Sequence, residues 1–273
     1  RHAGLEGPMA LHDPATRPAG LLFADVTQSW SDVGGGVRTY LRHKRQHILT
    51  NTPHRHLLIV PGPRDDVELE QSGRGITVSI ASPKVPASPH YRFMIRNAAI
   101  RAVLAEHRPD LIECQDAYNL PWAAIGHARR YPGTALVAAY CTDFPTVYVE
   151  RPFAKWVGRP VGVAASRLCY NYCRRLYRRF DAVFAMSENG GAAKLRALGV
   201  PNVDVVPLGV ELGQFSPAKR SSRLRRQLGL TEERPLLPSV GRPDAERRPQ
   251  VVVQAFRQLP QSIGASLLLI GDG

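Results

Sequence analysis

The stretch LLFADV at residues 21–26, together with Gly34-Gly35-Gly36 and the helical pattern of residues 37–48, decides the fold class. A short, continuous apolar run of this kind is typical of a strand that is covered on both faces of a sheet. The three glycines let an anion approach the backbone closely, and the N-terminus of the following helix offers unpaired N–H groups with a partial positive charge. The unit therefore predicts an anion-binding loop, with a tight turn that binds no ligand as the alternative.

Strand-like and helix-like segments alternate outward from this unit. The apolar, strand-like runs are at residues 21–26, 57–60, 76–80, 111–113, 135–140, 182–186 and 203–206. The helical patterns are at residues 37–48, 91–107, 120–130, 161–180 and 190–198. This alternation predicts an α/β fold, in which a Rossmann-like, doubly wound and mostly parallel sheet carries helices on both faces.

The domain organisation is predicted from shifts in composition. Residues 1–19 carry Gly, Pro and charge without apolar periodicity, which predicts a flexible N-terminal tail. A first domain over 20–210 and a charged linker over 211–235 follow. Residues 236–273 then show a strand at 236–240, a helix at 250–259 and a strand at 267–270. Two strands and one helix cannot close a doubly wound core, so we expect the second Rossmann-like domain to be truncated.

The bulk composition restricts the possible partners. The 273 residues have a formal net charge of +13, which suits an anionic partner. No helix-turn-helix, zinc-finger or aromatic RNA-binding pattern is present, so we expect no nucleic acid. No run approaches the ~20 consecutive apolar residues of a membrane span. Cys169 and Cys173 are one helical turn apart, but no second pair of soft ligands matches them, so we expect no metal.

A second candidate site follows the strand at 236–240. The loop contains Gly241, Arg242, Glu246 and Arg247. Guanidinium groups at a strand end suit a diphosphate, because they are planar, always charged and able to donate two hydrogen bonds at once. Charge alone equally favours a solvated basic loop.

These features, taken in order, resemble glycosyltransferase family 4, a group of retaining enzymes with the GT-B fold. The segment 23–27 with Gly34-Gly35-Gly36-Val37-Arg38 looks like the opening loop of the family. Residues 182–188, LRALGV at 195–200, VVPLGV at 205–210 and FSP at 215–217 are similar to its domain-junction signature. Gly241-Arg242, Glu246-Arg247 and LIGDG at 269–273 look like the start of its donor domain.

The resemblance implies two Rossmann-like domains that face each other across a cleft, with the acceptor on the first and a nucleotide-sugar donor on the second. Gly34, Gly35 and Gly36 would contact the donor diphosphate from the first domain. Arg242 and Arg247 would bind it from the second, although Arg247 stands where the family usually has lysine. No cofactor or metal is implied, because basic groups and a helix dipole stabilise the leaving group.

The segment YCTDFP at residues 140–145 resembles a catalytic segment in which many members have histidine at the position of Cys141. The resemblance implies that this histidine helps to place the reacting sugar. A thiol cannot hydrogen-bond as imidazole does, so Asp143 would carry more of the role. The alternative is that Asp143 caps a turn before Pro145.

The helical pattern at 161–180 is amphipathic. Its arginines, with Arg167, Arg174 and Arg178 at the centre, would face an anionic membrane or water. The apolar face, which we expect to pack on the sheet, consists of Ala165, Leu168, Cys169, Tyr172, Leu176 and Phe180.

The resemblance implies a cytoplasmic hexosyltransferase, and the basic face of the helix at 161–180 would allow it to bind peripherally on the inner face of the membrane. It would transfer a hexose with retention from a UDP- or GDP-sugar to a glycan or lipid-linked acceptor at that face. The alternatives are an inactive acceptor-binding fragment, a nicotinamide-dependent oxidoreductase or a basic nucleic-acid-binding protein. The oxidoreductase is disfavoured because no acidic residue clearly follows the glycines at the ~20-residue spacing that binds ribose.

Overall fold

A computed structural model describes residues 20–31, 35–70, 72–86, 88–241 and 247–271. The tail predicted at residues 1–19 lies outside these ranges. The chain divides into two compact units, of which the first ends at Leu208 and the second begins at Gly209. Each unit is described by itself.

The first unit is built on an eight-stranded sheet with strand order β10-β9-β8-β7-β1-β2-β4-β3. All neighbours pair in parallel except β3 and β4, and β5 and β6 form a separate antiparallel hairpin. The strands are β1 Leu22–Val26, β2 Arg55–Gly62, β3 Asp66–Leu69, β4 Gly75–Ala81, β5 Lys84–Val85, β6 Ser88–Arg92, β7 Leu111–Cys114, β8 Ala135–Tyr140, β9 Ala182–Ala185 and β10 Val203–Val205. The predicted α/β class and parallel sheet are confirmed.

Helices cover the sheet of the first unit. They are α1 Gly36–Asn51, α2 Asn97–His107, α3 Leu120–Arg130, α4 Arg151–Val157, α5 Arg159–Tyr177 and α6 Ala193–Ala197. The prediction of a helix from residue 91 is wrong at its start, because Tyr91 and Arg92 belong to β6 and pair with β5 instead. The core contains apolar side chains of the strands and helices together, such as Ala24, Ile59, Ile100 and Leu176.

A helical segment that the sequence did not predict precedes α5. A π-helical turn over Pro145–Glu150 leads into α4. The helix α5 then packs against this segment, and Gly162 makes the close approach possible. A Cβ at that position would lie 2.6 Å from the carbonyl oxygen of Glu150 and 2.8 Å from the backbone nitrogen of Ala154.

The predicted apolar face is buried at Leu176 and, just beyond α5, at Phe180, but it differs from the structure at Leu168. The buried residues are Gly162, Ser166, Cys173, Leu176 and Tyr177, whereas Leu168 is 72% exposed. The prediction that Leu168 packs on the sheet is therefore wrong. The reason is that the first half of α5 contacts α4 through small residues, so that its buried stripe is rotated away from Leu168.

The second unit contains α7 Ser222–Gln227, β11 Leu236–Val240, α8 Pro249–Arg257 and β12 Ser266–Ile270. The strands β11 and β12 pair in parallel around α8, as a βαβ unit does. None of the residues described in this unit is buried, since two strands and one helix cannot enclose a core.

Candidate functional site

The sheet order has a switch point at β1. From β1 the chain continues through β2 on one side, and it later returns to β7 on the other side. In open α/β sheets, ligands bind beyond the carboxyl ends of the strands at such a point. A pocket is present here, beside the segments that follow β1, β7 and β8. It is lined by Ser29, Val37, Gln115, Asp116, Ala117, Tyr118, Ala139, Cys141, Thr142, Phe144, Tyr148 and Tyr177.

The glycine loop leads from β1 into α1. Gly34 lies outside the described residues. Gly35 has φ 135° and ψ 154°, a conformation that is essentially restricted to glycine. Gly36 opens α1, and a Cβ there would meet no atom within 4 Å among the described residues outside its own helix and its chain neighbours. The part of the chain that the structure describes therefore leaves space beside the first residue of α1.

Asp116 is the second residue after the end of β7, and its carboxylate holds the segment that follows β1 in place. Its Oδ2 accepts hydrogen bonds from Thr27 Oγ1 and from the backbone N–H of Gln28, both at 2.8 Å, and its Oδ1 accepts one from the Ser29 hydroxyl. Burial raises the pKa of Asp116 despite these donors. The sequence reasoning missed this residue. Its signal is a carboxylate placed directly after a buried strand.

Cys141 follows β8 and lines the pocket. Its thiol donates a weak hydrogen bond to Oε1 of Gln115 over 3.8 Å. Burial raises the pKa of Cys141 to about 12, and the nearby carboxylates of Asp116 and Glu113 add to this effect. The thiol stays protonated at neutral pH, so it can donate a hydrogen bond but cannot act as a thiolate or a base.

Asp143 lies two residues further on, in a cluster of polar side chains. Its Oδ1 accepts hydrogen bonds from the hydroxyls of Tyr140 at 2.9 Å and Tyr170 at 2.8 Å, and its Oδ2 pairs with the ammonium of Lys194. Burial alone would raise the pKa of Asp143, but the hydrogen bonds from Lys194 and the tyrosines hold it below the usual value. The site therefore holds an ionised carboxylate that is fixed from α5 and α6. Tyr170 and Lys194 were not predicted from the sequence.

A buried group of charges lies on the neighbouring strands. Lys44 Nζ lies 2.8 Å from Asp25 Oδ1 and 2.7 Å from Glu113 Oε2. The second carboxylate oxygen of Asp25 lies 2.6 Å from His56 Nε2. Burial alone would raise the pKa of Asp25, but the charges and hydrogen bonds of Lys44 and His56 hold it below the usual value. The pKa of Glu113 is raised, because the side chain is buried and lies near the charge of Asp25. The group ties α1, and with it the glycine loop, to three strands of the sheet.

The predicted arginines belong to the second unit. Arg242 lies outside the described residues. Arg247 is exposed in the turn before α8, and Gly241 directly follows β11 with φ 150°. Within the described ranges, no three His, Cys, Asp or Glu side chains are grouped as a metal site would require. No described helix is both long and apolar enough to cross a bilayer.

Comparison with known proteins gives relatives along almost the whole chain. Residues 34–214 match the model of Glycosyltransferase Family 4. A GDP-mannose-dependent alpha-(1-6)-phosphatidylinositol dimannoside mannosyltransferase of Mycobacterium tuberculosis is 26% identical over 250 residues, covering 91% of this chain and 61% of the relative. A GDP-mannose-dependent alpha-mannosyltransferase of Corynebacterium glutamicum is 26% identical over 257 residues, covering 92% and 57%. The chain thus spans about three fifths of the length of these curated relatives.

Solved structures share the fold. Sucrose-phosphate synthase from Thermosynechococcus elongatus has a TM-score of 0.65 and 17% identity, covering 93% of this chain and 63% of that one. An alpha,alpha-trehalose-phosphate synthase from Burkholderia xenovorans has a TM-score of 0.56 and 13% identity, covering 92% and 65%. At these identities the likeness shows the fold alone, which is GT-B. With the family match over residues 34–214, the chain belongs to glycosyltransferase family 4.

Proposed function

We propose that this chain is part of a mannosyltransferase that takes mannose from GDP-mannose and transfers it with retention of configuration. The observation that carries the proposal is the alignment of more than nine tenths of the chain with two GDP-mannose-dependent enzymes. The pocket at the carboxyl ends of β1, β7 and β8 supports it, because it supplies a ligand site at the switch point of the sheet.

The donor diphosphate is proposed to bind at the N-terminus of α1. Gly34, Gly35 and Gly36 would let it approach the backbone, and the free N–H groups of the helix would stabilise the charge that develops as the sugar departs. From the second domain, Arg242 and Arg247 would bind the same diphosphate. No metal is required in this proposal, since these groups supply the positive charge.

Asp143 is proposed to position the reacting groups. Its carboxylate is ionised and held by Lys194 and Tyr170, so its orientation is fixed before the substrate arrives. Cys141 would line the acceptor side of the pocket and donate a hydrogen bond. It stands at the position where many family members have histidine, but its thiol stays protonated and therefore cannot accept a proton as imidazole does.

The acceptor is proposed to be a glycan or lipid-linked glycan at the cytoplasmic face of the membrane, where the protein would bind peripherally. The support is that the mycobacterial relative acts on phosphatidylinositol dimannoside, a glycolipid. The 273-residue chain alone is proposed to be inactive, because none of the residues described in its second unit is buried.

Transfer of the radiolabelled sugar from each donor tests the proposal, with this chain extended to the length of its relatives. GDP-mannose and UDP-glucose are offered separately with a mannosylated lipid acceptor and with its water-soluble headgroup, in the presence and absence of EDTA. We expect transfer only from GDP-mannose, unaffected by EDTA, and an α-linked product by NMR. Preference for UDP-glucose, a β-linked product or activity of the 273-residue chain alone would each contradict the corresponding part.

A further inference from the structure

Helix α4 and the first half of α5 carry large apolar side chains that stay exposed. On α4, Phe153, Trp156 and Val157 follow an i, i+3, i+4 spacing and therefore share one face. On α5, Val161 and Leu168 are seven residues apart and also share a face. Trp156 is 84% exposed and Leu168 is 72% exposed. We call these five residues the hairpin patch.

The segment that carries the hairpin patch contains positive charges and no negative ones. Residues 151–180 contain eight arginines and lysines and no aspartate or glutamate. All eight side chains are exposed: Arg151, Lys155, Arg159, Arg167, Arg174, Arg175, Arg178 and Arg179. An exposed apolar stripe within a purely cationic segment has the composition of an interfacial membrane helix, in which Trp and Phe enter the headgroup region and basic residues contact anionic lipids.

We propose that the hairpin patch is a membrane anchor that docks on an anionic phospholipid bilayer. The aliphatic members of the patch decide between possible partners. Val157, Val161 and Leu168 gain free energy when they leave water for the lipid interface, whereas they have no complement on a nucleic-acid backbone. In a dimer formed through this surface, the eight positive charges of one copy would face the eight of the other. Their repulsion disfavours self-association here.

The fold connects the anchor to the pocket. The helical segment that ends in α4 begins beside the pocket, where Phe144 and Tyr148 belong to its lining. The segment is fixed to α5 by the close approach at Gly162 and by the hydrogen bond from Ser166 Oγ to Glu150 Oε2 at 3.0 Å. Docking of the patch would therefore hold the pocket near the bilayer. This inference deepens the proposed function, on which it rests for an acceptor in the membrane.

Vesicle flotation of the 273-residue chain tests the anchor without any donor or acceptor. The vesicles are phosphatidylcholine alone, or equal parts of phosphatidylcholine and phosphatidylglycerol. We expect the chain to float only with the anionic vesicles. Trp156→Ser combined with Val157→Ser should weaken this binding by about tenfold or more, because the buried apolar area is lost. Arg151→Gln, Lys155→Gln and Arg159→Gln together should weaken it and reduce its dependence on salt.

A matched control and a direct probe complete the experiment. Leu212→Ser removes another side chain that is 74% exposed, in the second unit, and should leave flotation unchanged. Brominated lipids should quench the tryptophan fluorescence of the parent, and Trp156→Phe should abolish the quenching while Trp30 and Trp122 remain. Equal melting temperatures show that the variants fold.

Four outcomes would overturn the inference: no flotation, undiminished flotation of the Trp156/Val157 variant, patch-dependent binding to duplex DNA instead of vesicles, or patch-dependent dimers in sedimentation. The proposed function is tested separately. In the extended chain, the Trp156/Val157 variant should transfer mannose to the water-soluble headgroup as the parent does. A chain that binds vesicles but uses another donor would contradict the proposed function and leave the anchor in place.

Discussion

The ammonium group of Lys194 on α6 forms an ion pair with the carboxylate of Asp143 in the loop after β8. A π-helical turn over Glu188–Ala192 leads into α6, and such turns are frequent at functional sites. The pair joins two consecutive β–α connections at the edge of the pocket. Lys194 also contacts the hydroxyl of Tyr170 at 2.9 Å, so one cation orders both acidic and phenolic groups.

Lys194→Met should shift the acidic limb of the pH profile of kcat/KM to higher pH in the extended enzyme. The reason is that the cation which lowers the pKa of Asp143 is removed, while the burial that raises it remains. Lys194→Arg keeps the charge and should shift the limb less. Lys219→Met, at an exposed position of the second unit, is the matched control. Superimposable profiles for Lys194→Met and the parent would show that Asp143 does not need its cation.

Gly36→Ala should impair use of the donor without loss of stability. Among the described residues outside its own helix and its chain neighbours, a Cβ at Gly36 would meet no atom within 4 Å, so we attribute an effect on the donor to the ligand that approaches there. We expect kcat/KM for the donor to fall at least about tenfold, equivalent to about 1.4 kcal/mol. Gly35→Ala serves as the contrast: because Gly35 has φ 135°, that variant should also melt at a lower temperature. Unchanged kinetics for Gly36→Ala would leave the loop as a structural turn.

Cys141 should react slowly with iodoacetamide at pH 8. With a pKa of about 12, its thiolate fraction is about a thousandfold below that of an ordinary cysteine with a pKa of ~8.5. Mass spectrometry of the modified peptide measures the rate, and a free cysteine peptide gives the reference. Cys141→Ser should also retain most of the transfer activity, because a hydroxyl can donate the same hydrogen bond. Rapid alkylation of Cys141 in the folded chain would contradict the raised pKa.

Lys44→Met should destabilise the first unit by about 3–5 kcal/mol, because it leaves Asp25 and Glu113 buried without their shared cation. The loss should grow as the pH rises from 5 to 7. Without Lys44, the folded-state pKa values of Asp25 and Glu113 should rise, because the cation that lowers both is gone. The folded variant is then most stable while these carboxyls are protonated, and it loses that stability as the pH rises through their folded-state pKa values. Urea unfolding at the two pH values measures the effect, beside Lys219→Met. A smaller loss at pH 7 than at pH 5 would contradict it.

The parallel sheet could be predicted from the sequence because its strands are short apolar runs separated by helical patterns. The bounds of β8 and α3 agree with the predicted 135–140 and 120–130. The hairpin of β5 and β6 could not be predicted, because residues 88–92 are mostly polar and their partner strand has only two residues, Lys84 and Val85, too few to show a strand pattern in the sequence.

The site shows a similar division. The glycine loop and the segment after β8 could be located, because glycines and a carboxylate follow buried strands. Lys194 and Tyr170 could not be located, because they are 51 and 27 residues away from Asp143 in the sequence. They approach Asp143 only when α5 and α6 pack on the sheet. Leu168 was placed wrongly for the same reason: an ideal helical period predicts a face, but contacts with α4 select the buried one.

The missing side chain of Gly162 has a consequence for sorting related enzymes by their sequences alone. Because even a single methyl group there would collide with the backbone of Glu150 and Ala154, any family member with a larger residue must hold its two helices further apart. Such a member would display a differently shaped surface beside the pocket that follows β1, β7 and β8. The residue at this position therefore separates family members that can keep this helix spacing from those that cannot.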